Sequence, residues 1–312
     1  MDLVEAVLAG DPRAVARAIS MVEDGAEGLA ELSSGLFGHT GRASTIGLTG
    51  SPGVGKSTLA GELVRLARRH QLSVAVLAID PTSPFTGGAL LGDRLRMQEH
   101  ATDPGVFIRS MATRGHLGGM ALAAPEAVRI LDASGKDLVM VETVGVGQAE
   151  VDVAAATDTT LVVVSPGWGD AVQVAKAGIL EIADVFVVNK SDREGADAAA
   201  RDLEQMIRMG SAGEWIPPVV RTSVQGSEGI DELWEAMDRH RAHLEERGQL
   251  EQKRRGRLLR EVEGLAGERL RGGVRDALAR DRELADEIAA RTTDPYRAAD
   301  ILIERLTRAE EP

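Results

Sequence analysis

Lys56 and Ser57 close the run Gly50-Ser51-Pro52-Gly53-Val54-Gly55-Lys56-Ser57, the pattern G-x-x-x-x-G-K-S. An ammonium on a long stem and a hydroxyl able to ligate a divalent cation, set after a glycine-rich turn, are groups suited to holding a triphosphate. The glycines let successive backbone N–H groups turn inward at phosphate oxygens, and a helix N-terminus beyond them adds the positive end of its dipole. Lys56 is expected to reach the β- and γ-phosphates, and Ser57 to ligate Mg²⁺. The candidate nucleotide-binding residues of this stretch are Gly50, Ser51, Pro52, Gly53, Val54, Gly55, Lys56, Ser57 and Thr58.

A second constellation chooses the base. Val185-Phe186-Val187-Val188 runs into Asn189-Lys190-Ser191-Asp192, an N-K-x-D turn after a strand. The Asp192 carboxylate can accept from the N1–H and exocyclic amine of guanine. Adenine presents an acceptor at that ring nitrogen and would leave the carboxylate unpaired, which a buried polar site rejects strongly. Asn189 braces the loop, and the Lys190 stem can cover a face of the base. The run Arg221-Thr222-Ser223-Val224 fits a base-closing loop, in which the backbone of Ser223 and Val224 approaches the guanine oxygen. GTP and GDP are therefore the expected ligands.

Carboxylates end two further strands. Asp80 closes Ala78-Ile79-Asp80, and Glu142 closes Val141-Glu142 ahead of Thr143-Val144-Gly145-Val146-Gly147-Gln148. Beside a phosphate loop both are placed to hold Mg²⁺ directly or through water. Gly145 and Gly147 suit a loop that brings an N–H to the γ-phosphate, the logic of a nucleotide-sensing switch. Gln148 reads either as a water-positioning group or as a loop glutamine without a catalytic role. With Lys56 and Glu142 it completes the candidate catalytic set. Asp93, by its own chemistry, reads as a solvated helix residue. The run Arg109 to Gly119 offers an arginine, a threonine and a histidine as candidate transition-state groups without choosing among them. His240 and His243 read as a surface pair rather than as metal ligands.

The elements that must position these groups alternate regularly. Strand-like runs lie at 44–49, 72–80, 106–110, 137–143, 159–165, 185–189 and 218–223, and helix-like stretches at 56–70, 117–133, 171–183, 196–209 and 229–245. Several strands are near-continuous Val, Ile and Leu, as strands covered on both faces must be. The fold class is α/β: a mostly parallel sheet with helices on both faces. Ligands of such sheets bind beyond the carboxyl ends of the strands, where each motif falls. Residues 1–43 read as a helical segment, with Asp11-Pro12 as a helix start. Residues 44–245 form the nucleotide-binding domain. Residues 246–312 read as a helical arm in which Leu258, Val262 and Leu265 share a face; this is either a subdomain packed on its own chain or a dimerisation arm.

Composition narrows the function classes. The 312 residues contain no cysteine, which excludes disulfides, thiolate metal sites and cysteine nucleophiles. A net charge of -13 argues against a nucleic-acid partner. No apolar run is long enough for a membrane span, and the acidic start Met1-Asp2-Leu3-Val4-Glu5 lacks the basic beginning of a secretory signal, so a soluble cytoplasmic protein is expected.

Taken together, Thr49 to Thr58, Ala78 to Met97, Arg109 to Met120, Glu142 to Glu150, Asn189 to Asp192 and Asp294-Pro295-Tyr296 resemble the MeaB/ArgK-type GTPases. These are the G-protein chaperones of methylmalonyl-CoA mutase, with the human methylmalonic aciduria type A protein as a relative. The resemblance spans nearly the whole chain and implies a central P-loop domain with a C-terminal dimerisation arm. It implies metal-associated carboxylates at Asp80, Asp93 and Glu142. It also implies a switch facing the partner enzyme at Pro166-Gly167-Trp168-Gly169-Asp170, with Gln173 and Lys176. The function implied is a GTPase that gates adenosylcobalamin loading into a cobalamin-dependent acyl-CoA mutase, acts as a homodimer, and binds no cobalamin tightly itself. Two alternatives stand beside it. One is a kinase acting on an amino-acid transport protein, which Asn189 and Asp192 disfavour because kinases usually read adenine. The other is a metal-insertion GTPase, weakened by the absence of cysteine and of any histidine cluster.

Overall fold

The computed structural model describes residues 2–80, 100, 102–112, 120–143, 148–167, 181–210 and 213–308, with only the backbone for a few of them, Asp80 and Gln148 included. The chain divides into two compact units, Met1–Arg257 and Leu258–Pro312.

The first unit is built on seven parallel strands: β1 (Ser44–Thr49), β2 (Val74–Asp80), β3 (Val106–Ala112), β4 (Leu138–Thr143), β5 (Thr159–Val164), β6 (Val185–Asn189) and β7 (Val219–Thr222). They stand in the order β3-β2-β4-β1-β5-β6-β7. All seven strands expected from the sequence are present. The chain builds one half of the sheet after leaving β1 and the other half from β5 onward. The crevice where that order reverses opens at the carboxyl end of β1.

Alternation along the strands supplies both layers. Ala75, Leu77 and Ile79 point into a core shared with Val139 and Val141. Val74 and Val76 point into the opposite core with Ile46, Leu48 and Val163. The first core is covered by α1 (Leu3–Leu8), α2 (Pro12–Asp24), α3 (Leu29–Phe37), α5 (Met120–Ala133) and α6 (Gln148–Ala156). The second is covered by α4 (Lys56–Arg69) and α8 (Ile230–Glu246). Helix α7 (Ala196–Gly210) packs on Val162, Val164, Phe186 and Val188. The start of α2 is as the sequence suggests. Asp11 Oδ1 accepts from the N–H groups of Arg13 and Ala14 at 2.9 and 2.8 Å, and Pro12 occupies the first turn.

Helix α6 was not expected. Its sequence, Gln-Ala-Glu-Val-Asp-Val-Ala-Ala-Ala, has no clear apolar stripe, so periodicity gives no signal. What requires it is the close approach of Val153 and Thr157 to Gly47 of β1, where a Cβ would lie 2.6 and 2.7 Å from their side chains.

The amino ends of the strands carry a buried ionic cluster. Asp158, just before β5, takes Arg254 Nη2 at 2.6 Å and Arg257 Nη2 at 2.8 Å, and its backbone oxygen takes Lys253 Nζ at 2.7 Å. Asp184, just before β6, lies 3.2 Å from both Lys253 Nζ and His240 Nε2. His240 also meets Thr159 Oγ1 at 2.9 Å and packs against Trp215. It is thus buried, not a surface residue as its sequence context suggested. The three basic residues come from the first turns of α9 (Gln249–Arg280). Burial alone would raise the Asp158 carboxyl, but the hydrogen bonds and charges of Arg254 and Arg257 hold it below the ordinary range. Asp184 is likewise raised by burial and brought below its ordinary value by His240 and Lys253.

The second unit contains the rest of α9, α10 (Arg282–Ala289) and α11 (Pro295–Arg308). Its buried apolar cluster is small: Leu284, Ala298 and Leu302, with Val274, Ala277, Ile288 and Ile301 packed around them. Leu259, Val262 and Leu270 are 60–64% exposed. Among the described residues no helix is long and apolar enough to cross a membrane.

Candidate functional site

Four strand ends meet around the start of α4. β1 delivers Gly50, and its neighbour β4 delivers Glu142, which pairs with Leu48 in the ladder. β6 and β7, on the other side, deliver Asn189 and Thr222, which pair with each other.

Gly50 has φ +135°, and a Cβ there would fall 2.1 Å from the backbone oxygen of Val163 on β5. Only glycine lets the loop pass so close to the neighbouring strand. Gly55 has φ +97°, and a Cβ there would meet Asn189 Nδ2 at 2.5 Å. Gly55 is also the N-cap of α4 and provides no side-chain cap. A glycine N-cap spends no side chain of its own on the first N–H groups of α4, which suits a helix start that takes up an oxyanion. Lys56 is buried and bridges back over the loop, donating to the carbonyl oxygens of Gly50 at 2.6 Å and Ser51 at 3.1 Å. A cation, a helix start with a glycine N-cap and a glycine-rich turn thus meet at one spot, an arrangement that suits a polyphosphate.

Beside it the buried Ser57 hydroxyl donates to Glu142 Oε1 at 2.5 Å. A hydroxyl and a carboxylate, both oxygen donors, fit a hard cation such as magnesium. Among the described residues no group of three acidic, histidine or cysteine side chains is gathered for a metal. Asp80 ends β2, two residues beyond Ala78, the ladder partner of Glu142. Its backbone is therefore at the right strand end, while its carboxylate lies outside the described residues, as does Asp93. Gln148 opens α6, also with its side chain outside them. Val144 to Gly147, Thr113 to Gly119 and the segment with Trp168, Gln173 and Lys176 fall there too.

The base-reading loop is locked onto the phosphate loop. Asn189 Nδ2 donates to the Val54 oxygen at 2.8 Å, and Lys190 Nζ donates to the Gly53 oxygen at 2.6 Å. Thr222 Oγ1 donates to Asn189 Oδ1 at 3.2 Å. The Ser191 N–H donates to the Thr222 oxygen at 3.0 Å. Ser223 Oγ donates to Asp192 Oδ1 at 2.7 Å, and this hydrogen bond, then backbone, holds the Asp192 carboxyl below its ordinary range. Asp192 is thus an exposed, ionised acceptor already oriented at the edge of the loop. Val224 follows it half-buried, inside a turn closed by paired bonds between Ser223 and Glu228.

One sequence candidate goes elsewhere. Arg109 on β3 reaches to α2, donating to Ser20 Oγ at 2.8 Å and Glu23 Oε2 at 2.7 Å. Its guanidinium ties the N-terminal helices to the sheet. The Ser223–Asp192 bond was not foreseen. Its signal was only the small polar residue at the end of β7.

The comparisons with known proteins agree on one family. Its model, described as methylmalonyl-CoA mutase-associated GTPase MeaB, matches residues 15–279. A putative GTPase of Pyrococcus abyssi is 48% identical over 311 residues, covering 98% of this chain and 96% of that one. A Caenorhabditis elegans protein named methylmalonic aciduria type A homolog, mitochondrial, is 35% identical over 276 residues, covering 82% of this chain and 69% of its own. The crystal structure of a LAO/AO transport system kinase aligns over 98% of this chain and 96% of its own with a TM-score of 0.72 and 26% identity.

Proposed function

The chain belongs to the family of methylmalonyl-CoA mutase-associated GTPases, and from that premise we propose that it is a GTP-driven chaperone of a cobalamin-dependent acyl-CoA mutase, gating adenosylcobalamin loading and protecting the enzyme. Membership makes it a GTPase. The observation that carries the site assignment is the 2.8 Å bond from Asn189 to Val54, which makes the phosphate loop and the base-reading loop one construction.

In this reading the backbone of Gly50 to Gly55, with Ser51, Pro52, Gly53 and Val54 between them, cradles the triphosphate at the start of α4. Lys56 leaves the loop carbonyls for the phosphates and opposes the charge that gathers as the γ-phosphoryl group departs. A magnesium ion held by Ser57, Glu142, Asp80 and Asp93 would supply charge neutralisation between the phosphates. Gln148 orients the attacking water. Asp192 accepts from guanine, Lys190 covers its face, and the backbone of Ser223 and Val224 closes over its oxygen. Thr58 continues the helix past the cradle.

The base assignment is tested by competition among GTP, ATP and xanthosine triphosphate. Asp192→Asn should weaken GTP by about 100-fold and favour the xanthine nucleotide, whose ring carbonyl wants a donor. Equal affinity of the native protein for ATP and GTP would defeat it. The mutase assignment rests on the family description and on the C. elegans relative's name. Its test is GTP turnover and nucleotide affinity with and without a cobalamin-dependent acyl-CoA mutase. By linkage, a partner that prefers one nucleotide state must shift relative nucleotide affinity. We assign Trp168 and Lys176 to that contact. We also propose that the exposed leucines and valine of α9 serve a homodimer; light scattering of the full chain and of its Leu259→Ser, Val262→Ser, Leu270→Ser variant, which leaves Lys253, Arg254 and Arg257 in place, tests it. The name of the kinase-like structural relative supports the second reading, which transfer of labelled phosphate from GTP to a transport protein would establish.

A further inference from the structure

A cavity of about 580 Å³ lies at the amino ends of the strands, against Ser44, Leu138 and Thr159, the first residues of β1, β4 and β5. The nucleotide loops stand at the other ends of the same strands. The volume falls within the range of small-molecule sites.

Its lining is mixed, with more polar than apolar surface, and one stretch of wall is apolar and aromatic. Leu72, Met237 and the half-buried Trp234 line it, and His70 stacks on the indole at 5.4 Å, which holds the ring in place. Its charges are arranged unevenly. The Asp132 carboxylate is already committed, accepting from the N–H groups of Gly41, Arg42 and Ala43 at 2.5, 3.2 and 2.9 Å. Asp137 Oδ2 is committed to the N–H and hydroxyl of Ser73, both at 2.7 Å. Burial pushes the Asp238 carboxyl up, so its negative charge is disfavoured. The cations lack such partners: among the described residues neither Arg42 nor Lys136 forms an ion pair. Burial, and then the nearby Arg68, works against the charge on Lys136, and the carboxylates of Asp137 and Asp103 offset this only in part. A half-buried ammonium with no carboxylate at ion-pair distance gains when an anion comes into direct contact with it.

We propose that this cavity is a second ligand site, for a small flat apolar molecule carrying one anionic group. The ring system lies along Trp234, Leu72 and Met237, and the anionic group meets Lys136 and Arg42. The site is separate from the guanine nucleotide and does not depend on the identity of the partner enzyme.

The test uses the full chain and three probes that share one ring system: 2-naphthoate, 2-naphthyl phosphate and uncharged 2-naphthol. Calorimetry should find one saturable site per chain for at least one of the two anions, with naphthol weaker by about tenfold. The better anion tells whether a carboxylate or a phosphate is the natural group. The double variant Arg42→Ala, Lys136→Ala should weaken that anion by about tenfold or more while GTP affinity stays within about twofold. Hydrogen exchange on the unaltered protein should show protection at residues 132–138 and 234–241, and this reading stands even if the variant folds poorly. Absence of saturable binding by both anions overturns the proposal. So does equal binding of naphthol, or protection confined to the nucleotide loops. GTP binding measured in the same samples keeps a failure here distinct from a failure of the nucleotide assignment.

Discussion

The two ends of the one sheet are built on opposite principles. At the carboxyl end, Gly50, Glu142, Asn189 and Thr222 come from the ends of four strands, and their hydrogen bonds gather the glycine loop, Lys56, Ser57 and Glu142 around the start of α4. At the amino end, Asp158 and Asp184 are consumed by Arg254, Arg257, Lys253 and His240, beside the cavity that Arg42 and Lys136 line. In the proposed function the first end turns these groups to a nucleotide. At the second, the carboxylates of Asp158 and Asp184 are spent on the chain's own cations. The same residue types thus serve activity at one end and cohesion at the other, and only the partners tell which.

That contrast predicts effects that separate cleanly. The largest should come from Gly50→Val, whose added atoms collide with the Val163 backbone. GTP affinity should fall by about 1,000-fold or more, read with a fluorescent GTP analogue, and ordinary affinity would show that the loop is not the phosphate cradle. Asp158→Ala should do the reverse. Removing one partner from a buried cluster leaves two guanidinium groups uncompensated and should cost about 3 kcal/mol in urea unfolding, with GTP affinity of the folded protein unchanged. A loss of GTP affinity instead would mean the ends are not independent. Glu142→Ala should slow hydrolysis by about 100-fold while GTP binding falls by less, because the phosphates keep the loop and Lys56. Unchanged magnesium-dependent turnover would remove Glu142 from the reaction.

The smallest effect is one of pH. Asp158 and Asp184 have folded pKa values below their unfolded ones, so folding favours the ionised carboxylates. Their contribution is complete above the unfolded value of about 3.9 and is lost as pH falls through the depressed folded values. Asp238 has the opposite sign, since its raised carboxyl makes the folded form prefer the proton. Urea unfolding at neutral pH and near pH 3 should therefore show a stability loss in the native protein that shrinks in Asp158→Ala. An identical loss in both would mean that Asp158 contributes nothing to the acid limb.

The same contrast explains what could be read in advance. The phosphate loop is contiguous, and its glycines, lysine and serine announce themselves by spacing. The strands announce themselves as apolar runs. The candidate site was therefore legible where its residues are contiguous, including Asn189 at the end of β6 and Asp192 in the turn after it. The Asp158 cluster was not, because Arg254 and Arg257 lie in a charged helix where they resemble any solvated residue. His240 was misplaced for that reason, and Arg109 because proximity in sequence to a candidate loop says nothing about Glu23 on α2. Helix α6 was lost because a run of alanines carries no face.

The place of β1 in the middle of the sheet has a consequence for how the molecule is made. Its neighbours, β4 and β5, come later in the chain, and so does Asn189, which braces the glycine loop. A ribosome has therefore translated Lys56 long before the surroundings of Lys56 exist. At ordinary translation speeds the wait is on the order of ten seconds. Until β5 emerges the loop lacks its Val163 floor, and until β6 emerges it lacks its brace, so a nascent chain truncated before β6 should have no grip on GTP. The first nucleotide to bind then reports that the sheet has been completed, and by mass action it helps to keep it so.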